Sequence, residues 1–149
     1  MHKAIFCILA LLGGGFIAMQ APVNAQLAAG LKNPIAAATI SFFVGFVCLL
    51  AVTLALRAPL PASGMFGTVP TYAWFLGGLL GAVFVGLNLY LVPTMGVAAL
   101  MGLVITGQLI VSVLLDHFGL FGLSAHSINV GRVFGLTLLT GGAALVLRF

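Results

Sequence analysis

The chain has 149 residues, of which 63% are hydrophobic and 4% charged, where a soluble domain carries roughly a quarter charged residues. Its net charge of +4 comes from five basic residues and one acid, Asp116. That inventory cannot build a water-facing surface, and basic residues scattered at the ends of apolar runs exclude a nucleic-acid-binding face.

A bilayer demands that every backbone amide be satisfied internally, which leaves helices or a closed barrel. Barrel strands alternate apolar and polar residues over about ten positions. The apolar runs here are continuous and about twenty long, the length that crosses roughly 30 Å at 1.5 Å per residue. The expected fold is therefore an all-α integral membrane protein of five transmembrane helices in a single domain, residues 1–149.

In chain order the spans are expected at Ala4 to Ala29, Pro34 to Leu56, Thr71 to Val92, Gly96 to Leu115 and Asn129 to Leu147. The breaks fall at Gly-Leu-Lys-Asn-Pro (30–34), at Pro-Leu-Pro-Ala-Ser-Gly (59–64), at the turn from Pro93 to Gly96 and at the loop from Asp116 to Ile128. Each is rich in helix breakers or polar groups. The third is so short that helices three and four are expected to be antiparallel neighbours, and no loop is long enough for an extramembrane domain.

The first span also resembles a secretory signal: His2 and Lys3, an apolar stretch, then Val23-Asn24-Ala25 before Gln26. Pro22 and the polar Gln20 and Asn24 interrupt that apolar region, so a mature helix is expected instead. Cys7 and Cys48 fall inside spans as small hydrophobes; neither a disulfide nor a metal site is expected, and no cofactor. His117 and His126 lie outside the apolar runs, where interfacial solvation competes with a metal or proton-relay role.

Five crossings place the termini on opposite sides. Lys3, Arg57 and Arg132 then share one side, and Lys32 and Arg148 the other. So even a balance gives little instruction under the positive-inside rule, and dual topology follows as a hypothesis. Many secondary transporters consist of two inverted-topology repeats with the substrate site at the midplane. A five-helix unit with no internal duplication is half of such a machine. Its second half would be another copy in an antiparallel homodimer, or a paralogue of opposite orientation.

Small residues recur four apart at Ala37, Ser41 and Gly45, at Gly77 and Gly81, at Ala98, Gly102 and Thr106, and at Gly131 and Gly135. Such stripes let helices approach within a membrane, in the chain or between chains.

Polar residues inside spans cost free energy unless they face protein or a water-filled cavity. Gln20 and Asn24 share one face of the first helix around Pro22. Asn88 and Tyr90 lie late in the third, and Thr106 and Gln108 near the middle of the fourth, with Ser112 one turn on. Amides and hydroxyls both donate and accept, so Gln20, Asn24, Asn88, Tyr90, Thr106 and Gln108 are the candidate lining of a site for a small polar solute. Interhelical hydrogen bonding is the competing explanation. Tyr72 and Trp74 suit an interfacial belt. No nucleophile with a base, carboxylate pair or metal cluster emerges, and Asp116 beside His117 suits a helix end, so an enzyme is not expected.

Three stretches carry a resemblance: Gly107 to Gly122 (GQLIVSVLLDHFGLFG), Leu91 to Gly96 (LVPTMG) and Met19 to Gln26 (MQAPVNAQ). They resemble the five-helix YdcZ-like branch of the drug/metabolite transporter superfamily over nearly the whole chain. The last helix, with Gly135 and Gly142 flanking a Leu pair, is similar to the superfamily's closing pattern, which mediates dimer contact in the small four-helix relatives. The resemblance implies a multi-pass inner-membrane half-transporter working as an oppositely oriented pair, with Gly135 and Gly142 at the dimer interface. The multidrug and guanidinium exporters of that superfamily use a glutamate in the first helix to exchange protons for cations. This chain has no acid there, so its expected solute is neutral or zwitterionic. The alternatives are a non-transporting scaffold or partner subunit, and a small-multidrug-type cation exporter.

Overall fold

A computed structural model describes residues 2–59 and 68–149. Five α-helices follow one another: α1 (His2–Leu31), α2 (Pro34–Ala55), α3 (Leu76–Met95), α4 (Val97–Phe118) and α5 (Val130–Arg148), with 3₁₀ turns at Thr71–Trp74 and Leu120–Gly122. All five are long and apolar enough to cross a membrane. Their outer faces carry large exposed apolar side chains, Leu11, Phe16, Phe43 and Phe134 among them, as hydrocarbon requires.

The helix ends show why the chain breaks where it does. Asn33 caps α2, its side-chain oxygen accepting the Ala36 N–H at 3.1 Å, with Pro34 in the first turn, where a missing N–H costs nothing. Asn129 caps α5 in the same way through the Arg132 N–H at 2.9 Å. α1 ends in a left-handed residue, Lys32 (φ 52°), and the Asn33 N–H bonds back to the Ala28 carbonyl at 3.1 Å. Arg57 (φ 50°) repeats this after α2, with the Ala58 N–H on the Thr53 carbonyl at 3.0 Å. Glycine normally takes such positions. Here two basic side chains do, which sets their charges against the negative ends of the helix dipoles.

Two span boundaries need correction. Pro93 was expected to break the third helix, yet α3 runs through it to Met95, and the interruption comes at Gly96 (φ +76°). A proline removes one intrahelical bond and crowds the preceding turn, which a helix tolerates more readily than it tolerates a positive φ. Thr71 was expected to start the span; Thr71–Trp74 forms a 3₁₀ turn instead, and α3 starts at Leu76. α1 likewise continues through Pro22. Of the expected 59–64 loop, all but Pro59 lies outside the described residues.

The chain divides into two compact units, one ending at Thr94 and one starting at Met95. In the first, α1 and α2 pair antiparallel, and Ala28 and Ala37 meet Val85 and Leu89 of α3 in a small core, with Leu27, Ala38 and Phe84 around it. Ala37 and Ser41 of the stripe lie on the face that α2 turns to α1, Ala37 joining Ala28 and Ser41 bonding Asn24, whereas Gly45 borders an open groove, where a Cβ would meet nothing within 4 Å. In the second unit α4 packs on α5. Gly102 permits the approach, since a Cβ there would lie 3.3 Å from the Ala143 Cβ. Ala37, Ser41 and Gly102 thus serve packing within the chain.

Candidate functional site

The polar candidates separate by what their own helix can satisfy. A hydroxyl in a helix can donate to the carbonyl one turn back. Thr39, Thr53, Ser112, Thr137 and Thr140 all do so. So does Thr106, which is buried and donates to the Gly102 carbonyl at 2.8 Å. Its hydroxyl proton is therefore spent inside α4, which weakens its place among the candidates. Ser41 is the exception, because its hydroxyl oxygen accepts the Asn24 amide N–H across the α1–α2 interface at 3.1 Å.

The side-chain amides behave differently. Asn24 and Asn88 are each 8% exposed. Asn24 and Gln20 of α1 face Asn88 of α3 across a cleft walled by Ile17, Ala21, Phe84, Val85 and Leu89. The spacing explains the lining: residues 17, 20, 21 and 24 form one face of α1, and 84, 85 and 88 one face of α3. Among the described residues, neither Gln20 nor Asn88 has a side-chain hydrogen-bond partner, and no side-chain nitrogen or oxygen is both sealed from the surface and unpaired. The Asn88 amide therefore opens into the cleft. Asn24 keeps its carbonyl oxygen and one N–H for it after bonding Ser41.

Three of the six expected site residues, Gln20, Asn24 and Asn88, thus come together. Tyr90 does not join them. It is 55% exposed, two residues beyond Asn88 and so about 200° around α3. Gln108 is exposed on α4 in the second unit. Ser41 had figured only as a small residue; the signal was its four-residue spacing within a stripe opposite Asn24. No ionisable side chain lines the cleft, whose volume is about 10 Å³, room for about one water.

Away from the cleft, the α4–α5 connection is held by Asp116. Its carboxylate pairs with Arg132 at 3.3 Å, and its backbone carbonyl accepts the His126 N–H at 2.7 Å. Arg132 also donates to the His126 carbonyl at 3.1 Å, and the His117 Nδ1 accepts the Ile128 N–H at 3.3 Å. His126 Nδ1 lies 2.8 Å from the Ser124 carbonyl. Among the described residues, no three His, Cys, Asp or Glu side chains are grouped so as to hold a metal ion. Gly135 and Gly142 face open space: a Cβ at either would meet nothing within 4 Å. Gly142 lines an apolar groove with Gly102, Ile105 and Leu138.

The family described as "Putative inner membrane exporter, YdcZ" matches the chain over residues 5–145. No curated protein and no solved structure matches it.

Proposed function

The chain belongs to the YdcZ family and is a multi-pass inner-membrane protein; from that premise we propose that it moves a small uncharged or zwitterionic solute through the polar cleft of Gln20, Asn24 and Asn88. The observation that carries this is the Asn88 amide, which has no partner in the described chain and opens into the cleft opposite Gln20 and Asn24. An amide within a membrane span costs free energy unless it faces protein or a water-filled cavity, and this one faces the cleft. Structural pinning gains nothing from such an arrangement, whereas a solute in the cleft can bond the amide.

A cleft of about 10 Å³ does not admit a metabolite, and small-molecule sites run to roughly 300 Å³ and more. The proposed machine therefore completes its site with a second five-helix unit in inverted orientation, the homodimer or paralogous pair that short loops with balanced charge allow. Gly135 and Gly142, open to the outside of the chain, are the proposed contact between copies. Access alternates as one unit rocks against the other. Secondary or facilitated transport both fit this arrangement, and without an acid in the cleft a proton-for-cation exchange has no carrier there.

The scaffold reading has one observation of its own, the Asn24 to Ser41 bond, which ties α1 to α2. Asn88 separates the two. Untargeted profiling of cells and medium should reveal solutes that redistribute on overexpression of the wild type and not of Asn88→Leu, with the dimer unchanged. A dimer that weakens in Asn88→Leu, or identical profiles, favours the scaffold.

A further inference from the structure

Gln20 borders two spaces. One is the narrow cleft toward α3; the other is a groove of about 390 Å³ beside α2, lined by Gln20, Ser41, Phe42, Gly45, Phe46 and Leu49. Its volume falls within the range of ligand sites. The lining divides by chemistry: Gln20 and Ser41 supply hydrogen-bonding groups at one edge, and two phenylalanines and a leucine supply the rest. Gln20 lies in the middle of a membrane span, exposed, with its amide unbonded among the described residues. Lipid tails cover the phenylalanines but cannot bond that amide, and no ionisable side chain lines the groove.

We infer that this groove binds an uncharged amphipath, a molecule with a hydrogen-bonding head set against Gln20 and Ser41 and an aliphatic or aromatic body laid along Phe42, Phe46 and Leu49. The head bonds the Gln20 amide, and the Ser41 hydroxyl, whose oxygen already accepts from Asn24, still has a proton to donate. The body exchanges lipid for aromatic contact at little cost. Because Gln20 also lines the cleft, a head bound in the groove already touches the proposed path. This inference rests on the transporter reading and narrows its solute from merely polar to amphipathic.

The test is photolabelling of the whole protein in proteoliposomes with 4-benzoylbenzamide, an uncharged aromatic amide, followed by mass-spectrometric mapping. Benzophenone, which lacks the amide, and anionic 4-benzoylbenzoate are the controls. Labelling should fall on α2 at Phe42, Phe46 or Leu49 and exceed that by either control. It should drop roughly tenfold in Gln20→Leu, the effect of one hydrogen bond of about 1.4 kcal/mol. Gly45→Leu gives a second variant that should fold, since a Cβ there meets nothing within 4 Å, and its side chain should block the label as well. Equal labelling by benzophenone, or labelling indifferent to both substitutions, overturns the site. So does disulfide linkage between copies through Phe46→Cys, which would show a second copy on the groove. If Asn88→Leu abolishes solute movement while the label ignores Gln20, the groove assignment falls and the transporter stands. A label that obeys Gln20 in a protein that moves no solute leaves the site standing and removes the transport reading.

Discussion

Asn24 and Ser41 meet across the α1–α2 interface, the Asn24 amide donating to the Ser41 hydroxyl at 3.1 Å. The bond lies one helical turn from the Ala28 and Ala37 contact, so a polar pair and a close-packed pair share one seam. It holds Asn24 at the cleft while using only part of its hydrogen-bonding capacity. Ser41→Ala should leave a buried amide without its partner and lower stability by about 0.6 kcal/mol, the average for such bonds in membranes, and by no more than about 1.7 kcal/mol. Unfolding in mixed detergent micelles checks it, and a change below the error of that measurement would show the bond idle.

Asn88→Asp tests the cleft through charge. A carboxylate there cannot donate as the amide does, and its charge must be withdrawn from water. Protonated, the side chain resembles the amide; ionised, it repels an uncharged solute's acceptor groups and pays for desolvation. Transport by this variant should therefore fall well below that of the wild type at neutral pH, with insertion and folding unchanged. Transport equal to that of the wild type would remove Asn88 from the path.

Gly102 and Gly142 make opposite predictions. A Cβ at Gly102 would sit 3.3 Å from the Ala143 Cβ and 3.4 Å from its Cα, but at Gly142 it meets open space. Gly102→Leu should lower stability by about 1–3 kcal/mol through overpacking. Gly142→Leu should leave the monomer unchanged and weaken association between copies, measured by fluorescence transfer between labelled chains in liposomes. Unfolding by both, or dimer loss by neither, would contradict the assignment of an inner and an outer face.

The Asp116 and Arg132 pair is 38% and 31% exposed on its side chains, so solvent screens it. Arg132→Ala should cost less than about 1 kcal/mol of overall stability. The local effect should be larger, because Arg132 also holds the His126 carbonyl. Hydrogen exchange at the His126 amide, bonded to the Asp116 carbonyl at 2.7 Å, should accelerate in the variant. Unchanged exchange would show that the backbone bond alone secures the loop.

Much of this fold was legible in the sequence because a bilayer imposes few solutions. Five runs of apolar residues became five helices, and the expected break at Asn33-Pro34 and the expected boundary at Asn129 fall at two helix starts that these asparagines cap in the structure. Proline misled at Pro93, since membrane helices accept a missing N–H that a soluble helix would shed. The ends of α1 and α2 were harder, because Lys32 and Arg57 occupy left-handed positions that ordinarily announce themselves as glycine. At the site, helical spacing sufficed for Gln20 with Asn24, and the same spacing could have set Tyr90 aside from Asn88. The Asn24 to Ser41 bond was out of reach, since it depends on the register between two helices, which periodicity within each does not contain. The loss of Thr106's hydroxyl to its own helix was foreseeable from the general habit of Ser and Thr.

The central claim is that Asn88 lines a path reached by water and solute. Asn88→Cys, in a background with Cys7→Ser and Cys48→Ser, can be challenged with a membrane-impermeant maleimide on sealed right-side-out and inverted vesicles. A thiol reacts as thiolate, which hydrocarbon suppresses. The account predicts labelling from both sides, as alternating access in an inverted pair requires. A cysteine that reacts from neither side of the intact membrane, yet reacts fully after denaturation, would contradict it.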